Sequence, residues 1–457
     1  MNRLLLTPTD TLFFRDGRPM EGALSGHGAA WPLPTVTNAA LHAALHAAQR
    51  GGLIAPDKAH RHDHMSGTDR VKKDIRAFGS LVTAGPFPVN AAGVWYFPRP
   101  LDLTGASLTP TLVPRPLAHA SSLSAPLTHH LRSTEAPSKD SPAKAWLSAA
   151  DFESYLAGAP RGTTPKQAVN DDEIYHAEAQ IGIKIDAATG TTGQGDAAGM
   201  IYSSHSLRLH DGWRLGLLAH THEKQAGSDQ ERRDLIGQDL YRDGRGHLIL
   251  GGQQRVCTVL RETSPRLPLP AGLTRADAFR TDSDGRFIVK WVLLTPAIYP
   301  AITAGISKRG TPRHAHPGGW LPTWIDPQTG AVLLQSVDRD QRLERRRHNY
   351  NGRGYESSPD VPGRLVAARI DKPVPVTGWS VGDDEIDRQP GAKSTHLAVP
   401  AGSVYYFACD TADDAARLAA ALNWHGADDA RSPIRNRRST LLGEKGFGLG
   451  VCGTLHA

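Results

Sequence analysis

The chain has 457 residues, 39% of them hydrophobic, and a mean hydropathy of -0.38. These values exclude a disordered chain and a polytopic membrane protein, and at about 100 to 200 residues per domain they suggest two domains with insertions. Cations number 52 against 46 acids, a net charge of +6, and 39 of the cations are arginine; the bias suits a phosphate-bearing partner and equally suits a GC-rich genome.

The first ten residues, MNRLLLTPTD, carry one cation and three successive leucines. That is too little for a signal peptide, and no later run is long enough to span a membrane, so a cytoplasmic protein is expected. Three widely spaced cysteines (Cys257, Cys409, Cys452) contain no C-x-x-C pair, which argues for a reducing compartment and against a thiolate zinc site.

LLL reads as a first strand. FFRDGRPM (13–20) follows, where Asp16-Gly17 supplies turn chemistry and Pro19 withholds a backbone donor, so Arg15 and Arg18 are expected on a tight loop. PTVTNAALHAALHAAQRGG then gives a helix with Thr35 or Thr37 as cap, a stripe of Leu41, Ala44, Leu45 and Ala48, and Gly51-Gly52 as terminator. Two short strands are expected in residues 80–103, the second at Val94 to Phe97.

Residues 181–209 read as an inserted hairpin. IGIKID and MIYSSHSLRL flank a Gly-rich tip, and the stem carries Lys184, His205 and Arg208. WRLGLLAH and HLILGGQQRVCTVL add strands around Gly251-Gly252, with Arg255 closing the turn.

A second block opens at FIVKWVLLTPAIYP (287–300), whose Leu-Thr-Pro repeats that of the first strand. RLVAARI and VPAGSVYYFAC are strands. TADDAARLAAALNWHG is a helix capped by Thr411, with Asp413 and Asp414 in its first turn. The chain ends on a strand around the glycine-rich stretch GEKGFGLGVCG. Residues from about 118 to 145 and from 305 to 363 read as long insertions, and against the pattern of the family named below the insertions fall near 53–75, 118–165 and 305–363. Hairpin connections outnumber strand-helix-strand crossovers, which favours an α+β fold over a doubly wound parallel sheet.

Several motifs compete for a function. Gly448, Gly450 and Gly453 satisfy G-x-G-x-x-G, but only four residues follow, and a dinucleotide site needs a helix there. The stretch instead offers backbone amides to a phosphate chain, with Lys445 adding charge and Phe447 a stacking face; a bulged strand end is the plain reading. GWSVG (378–382) matches a hydrolase elbow at Ser380, yet the following GDDEIDRQPG is no helix. His42 and His46 lie four apart without the glutamate of a zinc protease, and His60, His62 and His64 fall in a polar loop; a solvated surface explains both. Arg345-Arg346-Arg347, beside Tyr350, suits flexible nucleic acid or a solvated face.

Taken in order, PTDTLFFRDGRPM, WPLPTVTNAALHAAL, the GIKID to GMIYSSHSLRL hairpin, LILGGQQR, KPVPVTGWS, AVPAGSVYYFA and GEKGFGLG resemble the RAMP-superfamily subunit of type III-B CRISPR (Cmr) complexes that holds the 5′ tag of the CRISPR RNA. The resemblance implies two ferredoxin-like (RRM-like, βαββαβ) modules, at 1–265 and 285–457, the second with a glycine-rich loop at 443–450. It implies no catalysis, no cofactor and no metal. The implied partners are CRISPR RNA, the large polymerase-like subunit, the backbone RAMP subunits and, indirectly, target RNA, with no membrane. The implied RNA-binding residues are Arg15, Asp16, Gly17, Arg18, Lys184, Arg208, Arg255, Lys445, Gly446, Phe447, Gly448 and Gly450.

The residues agree with this on physical grounds, because single-stranded RNA held by its backbone calls for cations on rigid loops and glycines that permit close approach. Phe13 and Phe14 are expected to brace the arginine loop rather than to stack on bases. Two rivals remain. Some RAMP relatives cut precursor CRISPR RNA without metal through a histidine base, a role open to His27. A nucleotide-using enzyme built on GFGLGVCG is the other.

Overall fold

A computed structural model describes residues 1–14, 25–26, 31–54, 78, 80–110, 112–117, 122–133, 143–183, 185–186, 188–192, 201–221, 233–264, 266–306, 312–334, 361–380, 391–427 and 434–456. In chain order the first half carries β1 (Asn2–Pro8), α1 (Pro34–Arg50), β2 (Val82–Val89), α2 (Ala149–Leu156), the paired strands β3 (Tyr175–Ile183) and β4 (Ile201–Leu209), β5 (Arg214–His220), β6 (Arg245–Ile249) and β7 (Val256–Glu262). The second half carries β8 (Phe287–Leu293), β9 (Arg364–Arg369), β10 (Val404–Cys409), α3 (Ala412–Leu422) and β11 (Gly450–Gly453).

Two antiparallel sheets organise the molecule. The first runs β6-β7-β1-β5-β2 and the second β9-β10-β8-β11. The chain is thus a mixed α+β protein with few helices, as the hairpin-rich sequence suggests. Both Leu-Thr-Pro strands, β1 and β8, sit inside their sheets and not at an edge.

Alternation along each central strand divides the core. Leu4 and Leu6 face α1, where they meet Leu41 and Leu45, while Leu5 turns to the opposite side. Val289, Trp291 and Leu293 of β8 face α3 and its Leu418 and Leu422; Ile288 and Val292 point the other way. The two remaining faces share one core, in which Leu5, Phe87 and Leu218 of the first sheet join Ile288, Val292, Tyr406 and Val451 of the second. Strands buried on both faces explain why LLL and VLL read as continuous apolar runs.

α3 follows its sequence signals, since the Thr411 hydroxyl accepts from the Asp414 amide at 3.1 Å. α1 departs from them. Its N-cap is Leu33, with Pro34 in the first turn, and the Thr37 hydroxyl donates back to Pro34 O at 3.2 Å. Proline has no amide to satisfy and its φ is already helical, so the helix begins ahead of both threonines.

β3 and β4 pair from Tyr175↔Leu209 to Ile183↔Ile201, so the hairpin starts earlier than IGIKID. YHAEAQ is exposed or half-buried on both faces and carries no alternation to read. β4 also takes Ser25-Gly26 in parallel, through Ser203 and Ser204, and Leu12 through reciprocal bonds to Leu207 of 2.8 and 2.7 Å.

Candidate nucleic-acid interface

Arg15, Asp16, Gly17, Arg18, His27 and Lys184 lie outside the described residues, but the points where the arginine loop leaves and rejoins the fold are defined. At its start, the Gly252 amide donates to Phe13 O at 2.8 Å. Gly251 holds φ +77°, and a side chain there would come within 2.5 Å of the same oxygen, so the turn has to be glycine. Phe14 is 6% exposed and packs in the core beneath the first sheet, so it is not placed to stack on a base. At the far end Trp31 Nε1 donates to Pro86 O at 2.8 Å, and Leu33 packs against the small core cluster that contains Phe447. Phe13 thus lies beside β7 and Trp31 beside β2, three strand spacings apart, roughly 14 Å, and between them in sequence Ser25-Gly26 pair with β4.

Two predicted cations meet at the loop's start. Asp10 accepts from Arg208 Nη2 through Oδ1 at 3.0 Å and from Arg255 Nη1 through Oδ2 at 3.1 Å, so one carboxylate joins the hairpin stem to the GGQQR turn. Arg208 also binds Glu178 through Nε, and through Nη2 at 3.2 Å. The Thr11 amide, followed by Arg208, lowers the Asp10 pKa; Arg208 lowers that of Glu178, and the two acids raise that of Arg208. These pairs are half-exposed and worth little to stability, yet they fix where two guanidiniums point. Arg255 Nη2 further donates to Gln253 Oε1 at 2.9 Å, and Gln253 and Gln254 hold φ of +56° and +52°, a strained turn for residues with side chains.

The glycine-rich stretch differs from expectation. Its amides are not bare: those of Lys445, Gly446, Phe447, Gly448 and Leu449 donate to Leu442 O, Gly443 O, Leu442 O, Pro296 O and Thr295 Oγ1. Its glycines admit protein rather than ligand. A side chain at Gly446 would lie 2.8 Å from Thr83 O of β2, one at Gly448 would strike Ser439 N, and one at Gly450 would strike the Trp291 indole. Phe447 is fully buried beside Ile298 and Val376, so it presents no stacking face in this conformation. Of the five residues singled out there, only Lys445 keeps a polar group for an anion; burial lowers its pKa, and Lys393 nearby adds to the lowering.

Sequence reading passed over Arg437, which lies in the run SPIRNRRST just ahead of this loop. Its neighbour Arg438 is spent on the end of α3, donating through Nε to Ala421 O at 2.8 Å. The density of arginine before GEKGFG was the available signal, and the glycines drew attention from it.

The other motifs contribute less. Trp379-Ser380 pairs with Gly391-Ala392, and their flanking residues 381–390 are outside the described set, as are His60, His62, His64 and Arg345 to Arg347. The His42 and His46 rings stack at 6.3 Å and His46 packs edge-on against Phe78, where burial lowers its pKa. His129, Asp282 and Asp284 cluster closely enough for a metal, but Arg286 Nη2 lies 3.4 Å from His129 Nε2 and 3.4 Å from Asp284, so the positive charge there is a side chain. No helix among the described residues is long and apolar enough to cross a membrane.

A family model described as CRISPR-associated protein (Cas_Cmr3) matches residues 4–455. The chain belongs to that family. As a Cas_Cmr3 chain it is a RAMP-type subunit of a type III CRISPR effector. Among solved structures, the Cas_Cmr3 chain is similar to a chain of the type III-B Cmr-beta complex bound to cognate target RNA, at 11% identity and TM-score 0.37, over 88% of this chain and 86% of that one. It is also similar to a chain of the Csm3-Csm4 subcomplex of the type III-A interference complex, at 8% identity and TM-score 0.32, over 90% and 94%. At such values these two likenesses carry no functional argument. No curated protein matches the sequence.

Proposed function

We propose that this subunit is a non-catalytic RNA holder that grips the 5′ tag of the CRISPR RNA and docks the large subunit of its effector complex. The observation that carries the reading is the anchoring of the stretch bearing Arg15 and Arg18, which follows the point where Asp10 gathers Arg208 and Arg255 and precedes the pairing of Ser25-Gly26 with β4. The described residues on both sides of Arg15 and Arg18 in sequence thus meet the hairpin strand that carries Arg208. Cations on braced loops suit the phosphates of an unpaired strand, with charge-assisted bonds stronger than neutral ones.

The strand orders support the ferredoxin-like part of the reading. In the first unit β7, β1, β5 and β2 are the last, first, third and second strands; in the second unit β11, β8, β10 and β9 repeat that order. This strand order is the one expected of a βαββαβ unit, with β6 added at one edge. α1 fills the first crossover of the first unit and α3 the second crossover of the second.

The test is binding of tagged single-stranded RNA by wild-type protein and by an Arg15→Ala, Arg18→Ala double variant across a salt series. Loss of two phosphate contacts lowers the log-log salt slope by about 1.4; an unchanged slope removes these arginines from the interface. Incubation with repeat RNA in EDTA is the companion experiment, and cutting that depends on His27 would replace the holder with a nuclease.

A further inference from the structure

We propose that Arg437, with Lys445 and Lys393, forms a notch beside the Gly443–Lys445 turn that takes one phosphodiester of single-stranded RNA. This rests on the RNA-holding reading and gives its C-terminal contact a residue that the sequence motifs do not mark.

The starting observation is an orphaned pair of donors. Nε and Nη2 of Arg437 are both shut off from solvent and have no hydrogen-bond partner, and among the described residues the guanidinium makes no ion pair. Its aliphatic stem lies along the turn, with Cβ and Cδ 3.6 and 4.0 Å from where a Gly443 side chain would stand. A guanidinium withdrawn from water without a partner is costly, and a counter-ion admitted by a small shift of the surrounding side chains would relieve that cost. The two orphaned nitrogens lie on the same side of the guanidinium. Together they make the side-on fork that fits two oxygens of one phosphate.

The surroundings have the sign an anion needs. Glu444 is exposed and attracts Arg437 without pairing to it, while Lys445 is half-buried and Lys393, exposed, repels it. Arg437 and Lys445 thus share one carboxylate, and Lys393 adds its charge beside Lys445. The contrast with Arg438, one residue on and fully engaged with Ala421 O and Asn436, shows that this segment satisfies its guanidiniums where it uses them structurally. The loop amides are already committed, so side chains alone remain to hold a phosphate. Burial lowers the Arg437 pKa to about 10, which leaves it charged at neutral pH.

A phosphodiester is favoured over a free phosphate because the RNA-holding reading supplies a strand, and the turn lies against β2 and the cluster on which Leu33 packs, at the end of the stretch that follows Arg15 and Arg18 in sequence. An acidic segment of a partner protein is the competing occupant.

The experiment uses the full chain, fluorescently labelled tagged RNA and a salt series, with Arg437→Gln, Arg437→Lys and Lys445→Gln. Expected are at least ten-fold weaker binding by R437Q, a salt slope smaller by about 0.7, little recovery in R437K because an ammonium cannot fork, and a Tm for R437Q no lower than wild type. A structural role alone would lower Tm and leave the slope intact. Wild-type affinity and slope in R437Q, with wild-type protein binding RNA normally, overturns the notch and leaves the RNA-holding reading standing. Absence of RNA binding by wild type defeats both; inorganic phosphate that then raises the Tm of wild type but not of R437Q identifies a free-anion site instead. Normal RNA binding by R437Q combined with failed assembly into the complex overturns the proposal in favour of an acidic protein contact.

Discussion

The ammonium of Lys290 stands 3.8 Å from the centre of the Tyr155 ring, in the core shared by the two sheets. Lys290 is 0% exposed and its Nζ has no hydrogen-bond partner, while Tyr155 and Tyr406 both donate to Asp102 at 2.7 to 2.8 Å. β8 and β10 of the second unit are thus tied to the segment following the first unit's β2.

That relationship fixes a pH dependence. Burial lowers the Lys290 pKa to about 8, with Asp102 opposing the shift, against about 10.4 for an unfolded lysine. Between those values the unfolded chain holds more protons, so stability rises with pH through the window and is flat below it. The rise is on the order of 3 kcal/mol. Thermal melts from pH 7 to 10 are expected to show Tm climbing in wild type and not in Lys290→Met; parallel profiles would mean that Lys290 titrates normally.

Gly448→Ala is expected to destabilise the fold by on the order of 3 kcal/mol. The new methyl would strike Ser439 N, and φ of +74° strains any residue with a side chain. Denaturant titration measures the loss. A variant as stable as wild type, with RNA binding reduced, would restore the glycine to a ligand-facing role.

Arg208→Ala is expected to lower the salt slope for RNA by less than the 0.7 of a full phosphate contact, because Asp10 and Glu178 already balance its charge. Its stability should be close to that of wild type, because solvent-screened pairs of this kind contribute little. A drop in slope equal to that of a single Arg15 or Arg18 replacement would mean that RNA displaces both acids.

The sequence showed the parts whose signals are local. LLL, the Leu41 and Leu45 stripe and the Thr411 cap need only near neighbours, and each appears in place. The start of β3 was hidden because its strand character comes from pairing with β4 and not from its own pattern. The packing role of the glycines of GFGLG is hidden in the sequence for a related reason. Thr83 O and the Trp291 indole, the atoms that crowd Gly446 and Gly450, are far away in the chain. Arg437 and Arg438 are adjacent and identical in type, and only the position of the α3 carboxyl end separates a spent guanidinium from an orphaned one.

The central claim is that an unpaired RNA end lies along residues 15–30 and reaches the turn at Gly443–Lys445. Photo-crosslinking of RNA carrying 4-thiouridine in its 5′ tag, followed by mass spectrometry of the adducts, tests this directly. The account predicts adducts between residues 13 and 31 and between 437 and 447; adducts confined to other surfaces, or none in a complex that demonstrably contains the RNA, would contradict it.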